Sequence, residues 1–473
     1  MFFKSKKKII LIVLSFGIVV SLLYALIFWK HYEKYSFHLK IGTGIFENDE
    51  NAEHLKGQYS GSKILNGKDV FLYFITAEEI LNSLKEKNFF FAQPESKISF
   101  LHPNIIAYFS YVTNDHIIQN HGNYKNLIIG KKKFLIYLQV FTYYISLIFL
   151  FRSTQNVIGF RKSLILITFL SIEPTIMQWN ISFMSESFFF SFLILFLSFV
   201  LLEKKIFYFL SGVFFGLMIL QRFFVFYFFI FIFIYFFIKS KKIFSKQMLI
   251  FFLGTLLVLF ILIISNYLRS KTFYLLPMQA KLHFAHYYEH KLLQKEKNIT
   301  SLESIYILEK RNEDWKKKNL IINSEETRLQ YYKFREQEAL KIIFRNKYDF
   351  IKLLIRSGFN VIFINPTQMW FKYSKYDNWK TFKETNDFKI SLFIRVFYSL
   401  FLYVTCVVGV INFNIKKNFS LYFLFLSFIL YNLIISSVGM NERYFVPSII
   451  FFSLFFSIGL EKILIKLKFL KFK

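Results

Sequence analysis

The sequence predicts an all-α polytopic membrane protein, a bundle of about ten transmembrane helices, with roughly nine to twelve as the range. Two observations lead to this fold class. The 473 residues are 55% hydrophobic and 22% aromatic, which is more apolar surface than a soluble domain of this size can bury. The apolar residues also form separate runs, most of which end in a cluster of Lys or Arg, as membrane spans do.

Two long polar segments, 31–133 and 268–395, interrupt the apolar runs. They divide the chain into an N-terminal transmembrane module (1–267), a second outer loop (268–395) and a C-terminal part (396–473) with further spans and a basic tail. Because a helix crosses the bilayer in ~20 apolar residues, each run is a candidate span. The predicted spans are 9–29, 134–151, 163–180, 187–202, 206–220, 223–238, 248–267, 396–413, 420–437 and 445–460.

The formal net charge of +30 sets the predicted orientation. In a soluble protein it would suggest nucleic acid, but here the Lys clusters alternate with spans, so we expect membrane lipids as partners and no nucleic acid. With an even number of spans, most basic clusters share one side, which the positive-inside rule makes cytoplasmic. Both termini then lie in the cytoplasm and both polar segments face outward. Lys131–Lys133 are an exception to the rule, because they precede the second span on the outer side. The lone Cys406 excludes disulfides within the chain.

An amphipathic helix is predicted in the first outer segment. Asp69, Tyr73, Ala77, Ile80 and Leu84 recur at helical spacing on one face, with Asp69 in the first turn. We expect this helix to lie at the outer membrane interface, where Asp69 serves either as a helix cap or as a functional acid. Further along, residues 100–109 predict an extended turn entering a short apolar segment. The second segment predicts a helix from Glu325 to about Arg345 and an interfacial stretch at 350–364.

Charged residues at the ends of spans are candidates for function, because charge is costly near a bilayer. Glu186 precedes a span, Arg222 separates 206–220 from 223–238, and Arg443 precedes the last span. Each has a simpler interpretation: a helix cap, a snorkelling side chain or a topology signal. The two runs around Arg222 form either a tight hairpin or one broken helix.

A series of loose motifs then follows in a specific order. The first is Asp-x-x-x-Tyr-x-x-x-Ala-x-x-Ile-Leu from Asp69, and a partial Pro-containing match at His102-Pro103 comes next. Later motifs are Glu173-Pro to Ser185-Glu186, Gly212-x-x-x-Gly216-Leu-x-x-Leu-x-Arg222, Ser265-Asn-Tyr, a helix at 339–351, and Arg443-Tyr-x-x-Pro447. This order resembles the GT-C superfamily of polytopic glycosyltransferases, in the branch of dolichyl-phosphate-mannose protein mannosyltransferases and bacterial lipid A and oligosaccharide glycosyltransferases.

The sequence departs from this pattern at several points. An insertion at 31–68 carries further acids, and the catalytic acid moves there if that region aligns instead of Asp69. A second Pro after Pro103 is missing, Ser265 replaces an Arg, and Phe223 replaces a Pro. The acids of the insertion are Glu47, Asp49, Glu50 and Glu53.

The resemblance implies transfer of a sugar from a polyprenyl-phosphate carrier to a lipid, glycan or protein acceptor, at the outer face of a bacterial inner membrane. Asp69 would be the general base, while Glu186 would orient the acceptor or a divalent cation, the one cofactor the resemblance leaves open. The expected substrate-binding residues are Tyr73, His102, Arg222, Arg269, Lys271 and Arg443, with the arginines and the lysine holding the carrier phosphate.

Two other functions remain open at this point. A lipid-linked polysaccharide polymerase or ligase shares the carrier substrate, but would be expected to rely on Arg and His in a large late loop. A lipid or solute transporter commonly shows two similar halves with broken helices, and the sequence shows no such halves.

Overall fold

A computed structural model describes residues 2–32, 38–40, 68–86, 100–121, 124–127, 130–270, 283–319, 325–364, 385–439 and 442–467. The helices of the first half are α1 (Phe2–Tyr32), α2 (Lys68–Lys85), α3 (Leu101–Thr113), α4 (Lys133–Ile158), α5 (Phe160–Ile172), α6 (Pro174–Asn180), α7 (Glu186–Leu202), α8 (Lys205–Gln221), α9 (Phe229–Ser240) and α10 (Lys246–Ser270). Those of the second half are α11 (His283–Lys297), α12 (Ser301–Lys318), α13 (Glu325–Arg345), α14 (Lys347–Ile362), α15 (Asn386–Asn412), α16 (Phe419–Gly439) and α17 (Ser448–Lys466).

Helices dominate the described structure, as predicted, and the chain is an integral multi-pass membrane protein. Within the described ranges, seven helical segments are long and apolar enough to cross a membrane, and α7 and α8 are shorter apolar helices. The predicted count of about ten is therefore not confirmed. The seven segments are Lys8–Leu26, Gly130–Ile158, Phe223–Ser240, Lys246–Ser265, Asn386–Asn412, Phe419–Val438 and Ser448–Lys466.

A small antiparallel sheet accompanies the helices. Its strands are β1 (His38–Lys40), β2 (Ile118–His121) and β3 (Tyr124–Leu127), in the order β1-β3-β2. Lys132 donates to Asp115 at 2.9 Å, which ties the segment between α3 and β2 to the turn that precedes α4. The sheet lies within the first polar segment, where the sequence analysis predicts no strand.

The predicted span 163–180 is wrong as a single helix, because the chain breaks at Glu173. Proline disfavours helical backbone in the residue before it, and Glu173 is extended (φ −65°, ψ 113°) ahead of Pro174. The Glu173 carboxylate instead accepts from the backbone N–H of Ile176 at 2.6 Å and caps α6. Its other oxygen accepts from Tyr398 of α15, so this buried acid joins two parts of the bundle.

A tight hairpin, one of the two alternatives, joins α8 and α9. Lys239 at the end of α9 donates to Tyr208 at the start of α8 (3.0 Å) and pairs with Glu203 (2.6 Å). The two helices therefore run antiparallel, and Arg222 lies at their turn. A 17-residue helix is about 25 Å long, so Arg222 and the Lys239 pair lie at opposite ends of the hairpin.

The predicted amphipathic helix in the first segment is present as α2. Its face is buried in protein, with Tyr73, Ala77, Ile80 and Leu84 all under 5% exposed. The helix therefore packs into the bundle instead of lying on lipid with this face. Residues 101–113 are also helical, so the predicted extended turn at 100–109 is wrong: Pro103 falls in the first turn of α3, where its missing N–H costs no helical hydrogen bond.

The second segment forms a separate helical cluster over α11–α14. The predicted helix from Glu325 to about Arg345 matches α13, and Tyr288 of α11 donates to the carbonyl of Ser437 in α16. Fully buried Glu289 pairs there with Arg311 (2.6 Å) and Arg335 (3.8 Å), while Glu338 approaches Arg311 at 3.9 Å. We call these four residues the Glu289 cluster.

Candidate functional site

Glu186 is the first residue of α7 and its side chain is fully buried. It follows a turn at residues 181–185, and at the start of this turn the side chain of Ser182 donates to the carbonyl of Trp179 at 2.8 Å. A carboxylate in the first turn of a helix is favoured by the helix dipole, but burial of its charge requires a cation. The structure supplies two.

Arg222 is the first of these cations and lies at the α8–α9 turn, 5% exposed. Its Nη2 pairs with Oε1 of Glu186, and its Nε donates to the Ser185 hydroxyl at 3.3 Å. The guanidinium also lies 5.2 Å from the ring centre of Tyr444 and 5.7 Å from that of Phe224. Aromatic faces stabilise a cation that has lost its water, so this surrounding suits a buried arginine.

Arg443 is the second cation and lies in the turn Glu442–Tyr444 that precedes α17. Its Nε is 2.7 Å from Oε1 of Glu186, the same oxygen that Arg222 contacts. We call Glu186, Arg222 and Arg443 the Glu186 cluster. Two guanidinium groups on one carboxylate oxygen bring a dense positive charge to one end of the bundle.

Hydrogen bonds tie the Glu186 cluster to the first polar segment. The Tyr73 hydroxyl of α2 is 3.1 Å from the Ser185 hydroxyl, which itself contacts Arg222. Gln221 donates to the carbonyl of Ser185 at 2.8 Å. The backbone N–H of Phe100 donates to the carbonyl of Leu220 at 3.1 Å, which joins the start of α3 to the end of α8.

His102 is buried between these elements. Its Nε2 is 3.1 Å from the carbonyl of Phe183, and its Nδ1 is 3.4 Å from Nε2 of Gln221. This arrangement fits a neutral ring that donates through Nε2 and accepts through Nδ1. Burial lowers the pKa of His102 to about 4, with nearby Arg222 lowering it further against the opposing effects of Phe183 and Glu186.

Asp69 lies in α2 one turn before Tyr73, the residue that contacts Ser185. Its backbone lies in the first turn of that helix, and its side chain lies outside the described residues. The side chain of Arg269 and the whole of Lys271 also lie outside them, as do the acids of the insertion at 31–68. Of the predicted site residues, the structure brings together Tyr73, His102 and the three members of the Glu186 cluster.

Sequence reasoning missed Ser185, Gln221 and Tyr444 as parts of this site. Each is a direct chain neighbour of a predicted residue, so adjacency to Glu186, Arg222 or Arg443 was the available signal. Their roles depend on contacts between distant segments, which adjacency alone does not reveal.

Close helix packing holds Arg222 in place. A Cβ atom on Gly212 of α8 would lie 2.0 Å from the carbonyl of Phe251, and one on Gly254 of α10 would lie 2.2 Å from the carbonyl of Phe209. Small residues allow two helix backbones to approach this closely. The crossing of α8 and α10 therefore fixes the axis of the helix that ends at Arg222.

A metal site is not evident in the described ranges, where no group of three or more His, Cys, Asp or Glu side chains is arranged to hold an ion. The arrangement at the Glu186 cluster instead suits an anion, because arginine side chains bind phosphate and carboxylate groups through several N–H donors.

In the comparison with known proteins, one family model matches part of the chain. Residues 125–267 match the model of the dolichyl-phosphate-mannose-protein mannosyltransferase family, and the matched region includes Glu186 and Arg222. The match supports the predicted resemblance to the GT-C superfamily over these residues. A search of curated proteins found no match.

Solved structures similar to the chain include the oligosaccharyltransferase of the archaeon Archaeoglobus fulgidus. Its complex with an inhibitory peptide and a dolichol-phosphate is 13% identical, with 98% of this chain and 51% of that chain covered and a TM-score of 0.47. Its crystal structure with Zn and sulfate is 12% identical, with 84% and 46% covered and a TM-score of 0.39. The chain thus spans about half the length of that enzyme.

Proposed function

We propose that this protein transfers a sugar from a polyprenyl-phosphate carrier to a hydroxyl of a lipid, glycan or protein acceptor. The observation that carries the proposal is the Glu186 cluster, in which Arg222 and Arg443 meet at one buried carboxylate oxygen. A membrane glycosyltransferase that uses a lipid-linked donor needs a cationic site for the phosphate that leaves with the lipid. Arg222 and Arg443 fill that role.

The environment of Arg222 supports phosphate binding. Its Nη1 makes no hydrogen bond within the described residues, although the side chain is 95% removed from solvent. A buried donor without an acceptor is costly, and a phosphate oxygen would satisfy it. The aromatic rings around the guanidinium exclude water and so strengthen its attraction for an anion.

Asp69 acts as the general base in this proposal. It takes the proton of the acceptor hydroxyl while the acceptor oxygen forms a bond to the anomeric carbon of the donor sugar. The bond from that carbon to the phosphate oxygen breaks, and its electron pair leaves with the carrier phosphate. The contact between Tyr73 and Ser185 supports this assignment, because it anchors the helix that bears Asp69 beside the phosphate site.

The other predicted substrate residues have distinct roles here. Tyr73 and His102 position α2 and α3 against the Glu186 cluster, since both are buried among protein groups. Arg269 and Lys271 are retained as weaker phosphate ligands, and a divalent cation as an optional one. The second outer loop, 268–395, shapes the acceptor site between the two transmembrane parts at 1–267 and 396–473.

We place the reaction at the outer face of a bacterial inner membrane, with both termini in the cytoplasm. The hairpin of α8 and α9 supports this side, because Lys204, Lys205 and Lys239–Lys242 lie at the end opposite to Arg222. Basic clusters mark the cytoplasmic side of membrane proteins, so the Glu186 cluster lies near the outer surface.

The experiment that tests this function compares the wild type with Asp69→Asn in membranes supplied with radiolabelled polyprenyl-phosphate sugars. We expect Asp69→Asn to reduce sugar transfer by about 100-fold or more, because loss of a general base commonly costs 10²- to 10⁴-fold. The matched control is Glu79→Gln on the exposed side of the same helix, which we expect to transfer sugar like the wild type. Unchanged transfer by Asp69→Asn would refute the assignment, and movement of the carrier without transfer would favour a transporter.

A further inference from the structure

We propose that Glu186 is an internal competitor for the carrier phosphate: it holds Arg222 and Arg443 in the empty site, yields them to the incoming donor and regains them when the spent carrier leaves. This inference rests on the proposed function, since it concerns the same phosphate. It gives Glu186 a positioning role that differs from the predicted one, in which Glu186 orients the acceptor or a cation.

The ion pairs of the Glu186 cluster lack the geometry of the strongest arginine–carboxylate pairs. Oε1 of Glu186 contacts Nη2 of Arg222 and Nε of Arg443, so two guanidinium groups converge on one oxygen atom. Oε2 accepts at 3.4 Å from the hydroxyl of Ser185, a longer contact than an ordinary O–H···O bond. In the strongest arginine–carboxylate pairs two N–H groups bind two oxygens side by side. The observed arrangement holds both arginines without giving either of them that geometry.

A bound phosphate offers the arginines more acceptor oxygens than Glu186 does. The donor is a phosphodiester that offers two free oxygens with a charge of −1, and the spent monophosphate offers three with a charge between −1 and −2. Glu186 contacts the two arginines through one oxygen, Oε1. A phosphate that enters beside Arg222 can accept from Nη1, which makes no hydrogen bond within the described part of the chain. More N–H groups of the two arginines therefore donate hydrogen bonds when the arginines bind the phosphate than when they bind Glu186.

Glu186 also favours release of the spent carrier. The leaving carrier phosphate carries more negative charge than the donor, so two buried arginines alone would retain it. Glu186 is fully buried and attached to the first turn of α7, so it remains at the site throughout the reaction. Its return to the arginines replaces the phosphate and leaves no unpaired buried cation, which favours release.

The Ser185 hydroxyl offers a means of keeping Arg222 near the site during this exchange. Its oxygen lies 3.3 Å from Nε of Arg222, 3.4 Å from Oε2 of Glu186 and 3.1 Å from the hydroxyl of Tyr73. Arg222 can therefore release Glu186 through Nη2 while Nε stays bound to Ser185.

The test uses the full chain in nanodiscs of neutral phosphatidylcholine, with polyprenyl monophosphate as the titrated probe. We expect Glu186→Gln to bind the probe about tenfold or more tightly than the wild type, because the competing charge is gone. Glu186→Asp, whose shorter carboxylate reaches the arginines less well, should give an intermediate gain. The matched control is Glu289→Gln, which removes the buried acid of the Glu289 cluster. The folded fraction of this variant should bind the probe with the affinity of the wild type.

Steady-state kinetics provide the second readout. If Glu186 acts in release, Glu186→Gln lowers both KM and kcat, and added polyprenyl monophosphate inhibits it more strongly than the wild type. A purely structural role predicts weaker binding and a higher KM instead. Unchanged or weaker binding by folded Glu186→Gln would overturn the inference. Should that variant not fold, unchanged or weaker binding by Glu186→Asp would do so.

These outcomes separate the inference from the proposed function. If the wild type fails to bind polyprenyl monophosphate, the proposed phosphate site itself is wrong. If the wild type binds it and neither Glu186 variant binds more tightly, the phosphate site stands and the competitor role is wrong.

Discussion

The Glu186 cluster and the Glu289 cluster contain the same parts in two settings. Each has a fully buried glutamate that pairs with two arginines brought from other segments of the chain. In the Glu289 cluster the two arginines contact different oxygens of Glu289, and Glu338 adds a second acid beside Arg311. In the Glu186 cluster both arginines contact the same oxygen.

The difference teaches how to separate a structural ion pair from a binding site. In the Glu289 cluster the charges of two acids neutralise those of two arginines. Each arginine side chain is also 15% or more exposed, so water partly solvates both guanidinium groups. Arg222 is 5% exposed and is surrounded by aromatic rings. The balanced Glu289 cluster joins the helices α11–α13, whereas we propose that the Glu186 cluster receives an anion.

The largest expected difference between the two clusters is in the rate of sugar transfer after loss of an arginine. We expect Arg222→Gln to lower kcat/KM for sugar transfer by about 10³-fold, because a cation that stabilises a leaving phosphate commonly contributes this much. The matched change Arg311→Gln in the Glu289 cluster should lower transfer only as far as it lowers the amount of folded protein. Transfer assays normalised to folded protein measure both. Equal losses in the two variants would remove the distinction between the clusters.

A second prediction concerns stability, for which we expect the Glu289 cluster to be important. Glu289→Gln leaves Arg311 and Arg335 without their shared buried partner, and breaking a buried pair in this way costs about 3–5 kcal/mol. We therefore expect faster proteolysis of the segment 283–364 and a lower thermal inactivation temperature. Glu338→Gln is the control, because Glu338 lies at 3.9 Å from Arg311 and is partly exposed, so its loss should matter little. If both variants behave alike, Glu289 does not brace this segment.

A third prediction tests the packing that positions Arg222. Gly212→Ala places a Cβ atom against the backbone carbonyl of Phe251, so α8 and α10 must move apart at a cost of about 1–3 kcal/mol. Gly358→Ala in α14 is the control, since its Cβ atom would meet the flexible Ser437 hydroxyl at 3.0 Å. Thermal inactivation should show a clear loss for the first variant and little for the second. A stable Gly212→Ala protein would show that the crossing is less constrained.

The smallest predicted effect is a pH dependence at His102. The pKa falls from 6.5 to about 4 on folding, so the unfolded chain binds more protons between these values, and stability decreases as pH falls through them. The loss should be about 1 kcal/mol between pH 6.5 and 5.5. His102→Gln keeps a donor but does not titrate, so its thermal stability should vary less over this range. An identical pH profile for the wild type and the variant would contradict the buried neutral histidine.

Local patterns predicted much of the fold. The spacing from Asp69 to Leu84 identified α2, and the sequence after Ser324 placed α13 from Glu325 to Arg345, because helical periodicity is visible in a short window. The break at Glu173 was missed, since the length of the apolar run outweighed the signal from Pro174. The strands of three or four residues are too short to give an alternating pattern.

The site was predictable as single residues and not as an arrangement. Glu186, Arg222 and Arg443 stood out because each is a charge at the end of an apolar run. Their meeting on one oxygen atom depends on the packing of α7, α8 and the turn before α17, which join distant parts of the chain. Gln221 and Ser185 were missed for the same reason, because a polar residue gains its role from the segment it contacts.

Direct binding of polyprenyl monophosphate in nanodiscs tests the central claim that the Glu186 cluster is an anion site and the Glu289 cluster is a brace. We predict that Arg222→Gln and Arg443→Gln each weaken binding by about tenfold or more, as expected for the loss of a charge-assisted contact, while Arg335→Gln binds like the wild type. Binding that is unaffected by Arg222→Gln and Arg443→Gln, or weakened equally by Arg335→Gln, would contradict it.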